Sequence, residues 1–118
     1  MQFHFSGGKP VYMQIVEQFR DAVLSGEYSP GERVPSVREL AAVACVNPNT
    51  MQRALSALEE EKLLICISTA GRYVTLDKAI LDSLRKKAVD RIVKEYAEKL
   101  DGLGVSRAEA ASLLLKEE

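Results

Sequence analysis

Two helical segments separated by a very short break constrain the fold of this chain more than any other feature. Ser36 and Glu39 have the Ser-x-x-Glu spacing of a capping box, which predicts a short helix over about 36–44. Pro48 suits the first position of a second helix, predicted over about 48–61, because proline needs no N–H partner there. Two helices joined by so short a turn form a helix-turn-helix unit.

An amphipathic helix precedes this unit, and a hairpin follows it. Apolar residues recur at helical spacing over about 10–25, and Gly26 closes that helix. Two short apolar runs at about 63–67 and 72–75 flank a turn that contains glycine, and they predict an antiparallel hairpin. The order of elements predicts a mainly α fold over residues 1–76, a winged helix-turn-helix in which the hairpin is the wing.

The polar side of the second helix of this unit has side chains suited to nucleic acid. The residues that point away from its apolar side are Asn49, Thr50, Gln52, Arg53 and Ser56. Asn and Gln pair with adenine in the major groove, and Arg pairs with guanine. The first carboxylate on this helix is Glu59, near its end. A helix that is merely solvated usually mixes Glu and Lys along its length, so the pattern favours DNA reading over a solvated surface.

The overall charge neither supports nor excludes binding to DNA. The chain has 16 Lys and Arg residues against 17 Asp and Glu residues, a formal net charge of −1. A domain that binds nucleic acid is expected to be basic on at least one face. The prediction of DNA binding therefore depends on the pattern of side chains and not on bulk charge.

Enzymatic and metal-dependent functions lack the residues they need. The sequence has neither a phosphate-binding loop that ends in Lys-Ser/Thr nor a Rossmann glycine pattern. His4 is the only histidine, and its segment offers no nucleophile or carboxylate partner. Cys45 and Cys66 fit no zinc spacing and are expected to be small buried hydrophobes rather than redox sensors. We therefore predict no enzymatic activity, no metal and no cofactor.

The first residues predict neither a signal peptide nor a membrane anchor. Residues 1–5 lack a basic start and an apolar core, and no apolar run in the chain approaches the length of a membrane span. A cytoplasmic protein without membrane contact is expected. Phe3 and Phe5 alternate with polar residues and predict a short edge strand.

The tail, residues 77–118, differs in its sequence pattern from the residues before it. A long helix without Gly or Pro is predicted over about 77–100, and a second Ser-x-x-Glu pattern at Ser106 opens a last short helix. An apolar stripe runs along both helices: Ile80, Leu81, Leu84, Ala88, Ile92, Val93, Tyr96, Leu100, Leu113 and Leu114. Either this stripe belongs to the core of one chain or it pairs two chains. We favour a dimer interface because the stripe is wider than one small domain needs.

Three stretches of the chain resemble a known family. They are Pro10-Val11-Tyr12-x-Gln14-Ile15, Gly26-x-x-x-Pro30-Gly31-Glu32-Arg33-Val34-Pro35-Ser36-Val37-Arg38-Glu39-Leu40-Ala41, and Leu55-x-x-Leu58-Glu59. This ordered set is similar to the winged helix-turn-helix domain of GntR-family transcription regulators and covers about residues 10–75. Residues 46–54 and the short tail are closer to the YtrA-like subfamily, in which a two-helix tail forms a dimer.

The resemblance implies a set of DNA contacts. Arg38 on the first helix of the unit, four residues of the second helix and the wing tip correspond to family contacts, and Cys45 stands where many relatives have glycine. Together with neighbouring polar residues, the candidate DNA-binding residues are Arg33, Ser36, Arg38, Asn47, Asn49, Thr50, Gln52, Arg53, Ser68, Thr69 and Arg72.

The predicted function is that of a transcription regulator. The resemblance implies a homodimer that binds a two-fold-related operator in double-stranded DNA and represses by occlusion, with a transporter operon as the target. The sequence predicts no domain built to hold a small-molecule effector, and it leaves open whether an effector exists. The alternative is a winged helix that binds another protein and no DNA. Such modules usually lose the polar, cation-bearing face that this chain keeps.

Overall fold

The computed structural model describes residues 1–117 and shows a mainly helical chain with one antiparallel hairpin. Its elements are α1 (Val11–Leu24), α2 (Val37–Ala44), α3 (Pro48–Glu60), β1 (Leu64–Ile67), β2 (Gly71–Val74), α4 (Lys78–Asp101) and α5 (Arg107–Lys116). The predicted fold class is confirmed. Each element from α1 to α4 begins and ends within two residues of its predicted bounds, and α5 begins within two residues of its predicted start. No helix in the described residues is long and apolar enough to cross a membrane.

The described chain divides into two compact units. The first unit comprises residues 1–82, and the second begins at Ser83. Helix α4 starts in the first unit and continues through the second. The first unit contains α1 to α3 and the hairpin, and therefore all of the predicted DNA-binding residues.

The core of the first unit lies between its three helices and the inner ends of the strands. Its largest fully buried side chains are Phe19, Ile15, Met51, Leu55, Leu58, Leu63, Leu64 and Val74. The ring of Tyr28 stacks on Phe19 with 5.1 Å between centroids. Burial raises the pKa of Tyr28 above its ordinary value, and the nearby carboxylates of Glu27 and Glu32 raise it further. The phenol is therefore neutral around pH 7 and behaves as part of the core.

The loop before α2 is hydrogen-bonded to the hairpin as an additional extended segment. Gly31 donates its N–H to the Val74 carbonyl at 2.8 Å, and Val34 donates to the Arg72 carbonyl at 3.0 Å. A backbone bridge also pairs Arg33 with Tyr73. These bonds fix the wing beside the start of α2.

The predicted capping residues hold the helix-turn-helix unit together. Ser36 and Glu39 form both hydrogen bonds of a capping box at the start of α2. Asn47 accepts the N–H of Asn49 at 2.7 Å at the start of α3. Cys45 ends α2 in the left-handed conformation, with φ 55° and ψ 44°. A non-glycine residue in that region costs on the order of 1 kcal/mol.

The expectation that both cysteines are buried is wrong. Cys45 and Cys66 are exposed. The left-handed turn at Cys45 breaks the helical pattern that buries Ala44 just before it. Cys66 lies on β1, where only Leu64 is buried and the following three residues extend beyond the core.

The edge strand expected at Phe3 and Phe5 is also absent from the described residues. The backbone there bonds to side chains of α1 and not to a strand. The N–H of His4 donates to Gln18 Oε1 at 3.0 Å, and Gln18 Nε2 donates to the His4 carbonyl at 2.7 Å. The two Phe rings stack with 6.2 Å between centroids.

The second unit consists of most of α4 together with α5. Tyr96 Oη donates to the carbonyl of Ala110 at 2.7 Å, and Ala110 is 4% exposed, so α5 packs on α4. Ser106 caps α5 by accepting the N–H of Glu109 at 3.2 Å. The charged residues of α4 form exposed pairs one turn apart, among them Lys86 with Asp90.

Replacing Cys45 by glycine is expected to raise the free energy of unfolding by roughly 0.5 kcal/mol, because the loss of left-handed strain exceeds the added freedom of the unfolded backbone. Val43, two residues earlier and inside α2, is a matched control because its side chain is also exposed. Val43→Gly should lower the free energy of unfolding by about 1 kcal/mol. Urea denaturation of the three proteins measures both changes. An equal loss in the two variants would contradict the assigned strain.

Candidate nucleic-acid interface

Helix α3 presents the predicted polar side chains to solvent. We call them the reading face: Asn49, Thr50, Gln52, Arg53 and Ser56. Asn49, Gln52 and Arg53 are exposed, and the other two are half-buried. The opposite side of α3 lies in the core, where Met51 and Leu55 are completely buried. The core therefore fixes which side of α3 a nucleic acid can meet.

One hydrogen bond lies within the reading face. Gln52 Nε2 donates to Ser56 Oγ at 3.1 Å, one helical turn further along. This bond restricts the rotamers of Gln52 and points its amide along the helix. The amide group of Gln52 thus has a hydrogen-bond partner within the reading face.

Two of the predicted site residues serve as helix caps. Asn47 Oδ1 accepts the N–H of Asn49, and Ser36 Oγ accepts the N–H of Glu39. The remaining N–H groups of each first turn carry the partial positive charge of a helix N-terminus, which favours anions such as phosphate. The caps also fix where these N–H groups point.

An open cavity of about 330 Å³ lies between β2 and the start of α2. It is lined by Arg33, Val34, Pro35, Ser36, Val37, Arg38, Gly71 and Arg72. We call it the arginine cleft. The structure thus brings together four of the predicted site residues from two separate parts of the chain, residues 33–38 and 71–72. The three arginines carry positive charge, and the lining contains no carboxylate, so the cleft suits an anion.

The three arginines of the cleft differ in their freedom. Arg33 and Arg38 are exposed. The Arg72 side chain is only 18% exposed, and its Nε donates to Glu59 Oε1 on α3. Arg72, predicted as a wing contact for DNA, therefore ties the wing to α3. Glu59, read as a remote carboxylate in the sequence, is its partner.

The wing tip is a short 3₁₀ turn over Ser68–Ala70 between the two strands. Ser68 and Thr69, both predicted DNA contacts, are exposed. The strands are paired in the register Ile65 to Tyr73 and Ile67 to Gly71. Both isoleucines are substantially exposed, so the wing presents apolar as well as polar side chains.

Tyr12, which the sequence analysis assigned to the apolar face of α1, contacts the reading face. The guanidinium carbon of Arg53 lies 3.8 Å from the centroid of the Tyr12 ring. An aromatic residue at helical spacing gives the same pattern whether it packs in a core or at its edge. Only the packing of α1 on α3 reveals this contact.

The residues predicted for a dimer interface are divided between buried and exposed positions. Leu81 and Ala88 are buried in the single chain. Half-buried residues are Ile80, Leu84, Tyr96 and Leu100. The other four residues are between 46% and 59% exposed, and we call them the exposed tail patch: Ile92, Val93, Leu113 and Leu114.

Two regulators of Bacillus subtilis are similar to this chain, one over most of its own length and the other over about half of it. The uncharacterized HTH-type transcriptional regulator YhcF of Bacillus subtilis is 31% identical over 92% of this chain and 90% of its own. The HTH-type transcriptional repressor YtrA of the same organism is 39% identical over 56% of this chain and 51% of its own.

A solved structure agrees along nearly the whole chain. A GntR family transcriptional regulator from Listeria monocytogenes superposes with a TM-score of 0.87 and 32% identity, covering 97% of this chain and 100% of the other. Residues 11–74 match the family described as bacterial regulatory proteins, gntR family. That match takes in α1, the helix-turn-helix unit and the wing, and the chain therefore belongs to the GntR family of DNA-binding transcriptional regulators.

Proposed function

We propose that two copies of this chain bind a two-fold-related operator through their α3 helices and repress transcription by occluding the promoter. The observation that carries this proposal is the exposed reading face, which has no carboxylate and lies opposite a fully buried side of α3. The similarity to a relative named a transcriptional repressor supports the direction of regulation. A transporter operon remains the proposed target on the subfamily resemblance, and DNA binding places the proposed site of action in the cytoplasm.

The reading face supplies the base contacts in this proposal. The amides of Asn49 and Gln52 each carry a donor and an acceptor, the combination that recognises adenine in the major groove. Arg53 supplies a planar set of donors, and Thr50 a hydroxyl. Residues in the first two turns of a recognition helix are those that reach base edges, and these four lie there.

Phosphate contacts come from the arginine cleft, the helix N-termini and the wing tip. Arg33 and Arg38 are exposed, and no carboxylate among the described residues pairs with them. Ser36 and Asn47 order the N–H groups at the starts of α2 and α3. Ser68 and Thr69 at the wing tip provide neutral contacts. Such contacts fix the register of the protein on DNA, and the reading face then selects the sequence.

The exposed tail patch supports a dimer. Ile92 and Val93 are 57% and 58% exposed in the single chain, and Leu114 is 59% exposed. Several large apolar side chains of α4 and α5 left in water favour a second copy as the partner. The first units of the two copies would bind two half-sites of the operator. Once one of them is bound, the other would bind at a high effective concentration.

Salt dependence tests for DNA against a protein partner. Lys9 and Arg72 are neutralised by their ion pairs with Glu17 and Glu59. The main cations that can face DNA in each copy are therefore Arg33, Arg38 and Arg53. A dimer would neutralise about four phosphates if Arg53 contacts a base and about six if it contacts phosphate, with a log–log salt slope of about −4 or about −5 respectively. Fluorescence anisotropy at several salt concentrations, on DNA selected from a random-sequence pool by the full chain, measures the slope. A slope near zero, or no selected sequence, would favour the protein-interaction module.

Replacing Arg38 by alanine should weaken binding to the selected DNA by about 1–3 kcal/mol per site, because a charged contact at the arginine cleft is lost. Arg107→Ala is the matched control, since Arg107 is an exposed arginine on α5. That control should bind as the parent does. Equal affinity of Arg38→Ala and the parent, with both folded by circular dichroism, would remove Arg38 from the interface.

A charge placed in the exposed tail patch should separate the dimer. Ile92→Glu would bury an unpaired carboxylate between two copies, at a cost of several kcal/mol. Lys87→Glu changes charge at an exposed position of the same helix outside the patch and should stay dimeric. Analytical ultracentrifugation reads both variants and the parent. A monomeric parent would contradict the dimer outright, and an intact Ile92→Glu dimer would contradict this interface.

A further inference from the structure

Helix α1 contributes a side chain to the reading face through one contact. Tyr12 lies near the start of α1 and is half-buried, whereas Arg53 on α3 is exposed. The guanidinium of Arg53 sits over the Tyr12 ring at 3.8 Å from its centroid. Helix α1 packs firmly on α3, so the core of the unit sets the place of the ring relative to the reading face.

This arrangement leaves the hydrogen-bonding edge of Arg53 available. A guanidinium group carries its five donors in its own plane. An aromatic ring that covers one face of the group attracts the cation and leaves the edge donors uncovered. In contrast to Arg72, Arg53 has no carboxylate partner among the described residues.

Order in a long side chain strengthens the contacts that it makes later. A free arginine on a surface samples many rotamers and loses that freedom when it binds. Stacking on Tyr12 removes part of this freedom in the unbound protein, so binding costs less conformational entropy. The gain applies to an acceptor that accepts two parallel N–H donors.

We propose that Tyr12 is a positioning residue, whose ring holds the Arg53 guanidinium ready for a bidentate acceptor on operator DNA. That acceptor is the O6 and N7 edge of a guanine or a pair of phosphate oxygens, which share this chemistry. The inference rests on the proposed function, since it needs an operator. It adds to that function a residue of α1 that acts on DNA through α3.

A double-mutant cycle tests the coupling, with binding measured on the selected DNA. Tyr12→Leu keeps apolar volume and should weaken binding by the dimer about fivefold to thirtyfold, because both heads lose the stacked arginine. In an Arg53→Ala background the same change should alter affinity less than about twofold. Tyr12→Phe keeps the ring without the hydroxyl and should bind within about twofold of the parent.

Other results would overturn the inference while leaving the proposed function intact. Equal weakening by Tyr12→Leu in both backgrounds would show that Tyr12 acts independently of Arg53. A loss in Tyr12→Phe as large as that in Tyr12→Leu would assign the effect to the hydroxyl. If the parent selects no DNA at all, the proposed function fails instead.

Arg53→Ala also identifies the acceptor. A shallower salt slope, by about two for the dimer, indicates phosphate. Relaxed base preference at one position in each half-site, read by repeating the selection with the variant, indicates guanine. Either change in Arg53→Ala, together with coupling in the cycle, supports the inference.

A measurement without DNA tests the stacking itself, and it remains informative even if Tyr12→Leu folds poorly. The Arg53 side-chain protons over the Tyr12 ring should show an upfield ring-current shift in NMR spectra of the parent and of Tyr12→Phe. Absence of this shift in the folded parent would overturn the proposed stacking. Thermal unfolding of all variants by circular dichroism confirms that the affinities refer to folded protein.

Discussion

The turn between α2 and α3 is the constraint on which the interface depends. The chain must leave one helix and start the next within three residues. Cys45 does so by adopting the left-handed conformation, and the N–H of Val46 returns to the carbonyl of Ala41 at 3.0 Å, as in a Schellman motif. Asn47 then caps α3. Because this turn joins two helices that share one core, it sets which side of α3 faces outward. The position of the reading face follows from that orientation.

A protein of formal charge −1 can still present positive charge to DNA, because its ion pairs are not evenly distributed. Glu61 and Glu59 near the end of α3 pair with Arg20 and Arg72, and so neutralise cations within the first unit. On α4, exposed lysines and arginines pair with carboxylates one turn away. Arg33, Arg38 and Arg53 stand apart from these pairs. Local charge at the interface is therefore independent of the sum over the chain.

Sequence patterns predicted the elements of this fold well because their signals are local. Capping boxes, a proline at the first turn of a helix and helical periodicity each act within a few residues, and Ser36 and Pro48 mark helix starts in the structure. The exposure of Cys66 depends on how far a hairpin extends beyond its core, which no local pattern encodes. The bonds of the first residues with Gln18 depend likewise on tertiary folding.

The sequence could predict which polar side chains α3 exposes, but not how the residues of the candidate site are arranged. The polar residues of α3 follow from its periodicity alone. The partners of two arginines do not, because Arg72 meets Glu59 and Arg53 meets Tyr12 only after the chain has folded back on itself. The contact with Glu59 shows that Arg72 stabilises the unit, whereas Arg53, stacked on Tyr12, still faces solvent. Sequence alone treats all of them as equivalent cations.

The close approach of Arg33 to Gly71 has a consequence for how this sequence can vary during evolution. Gly71 has φ 92°, and a Cβ added there would lie 3.1 Å from Arg33 Nε. A side chain at position 71 would strain the backbone there and would move the flexible end of Arg33 aside by a few tenths of an ångström. The backbone conformation therefore restricts position 71 to glycine more strongly than the contact with Arg33 does. Substitution of Gly71 is expected to alter the part of the cleft wall that β2 forms.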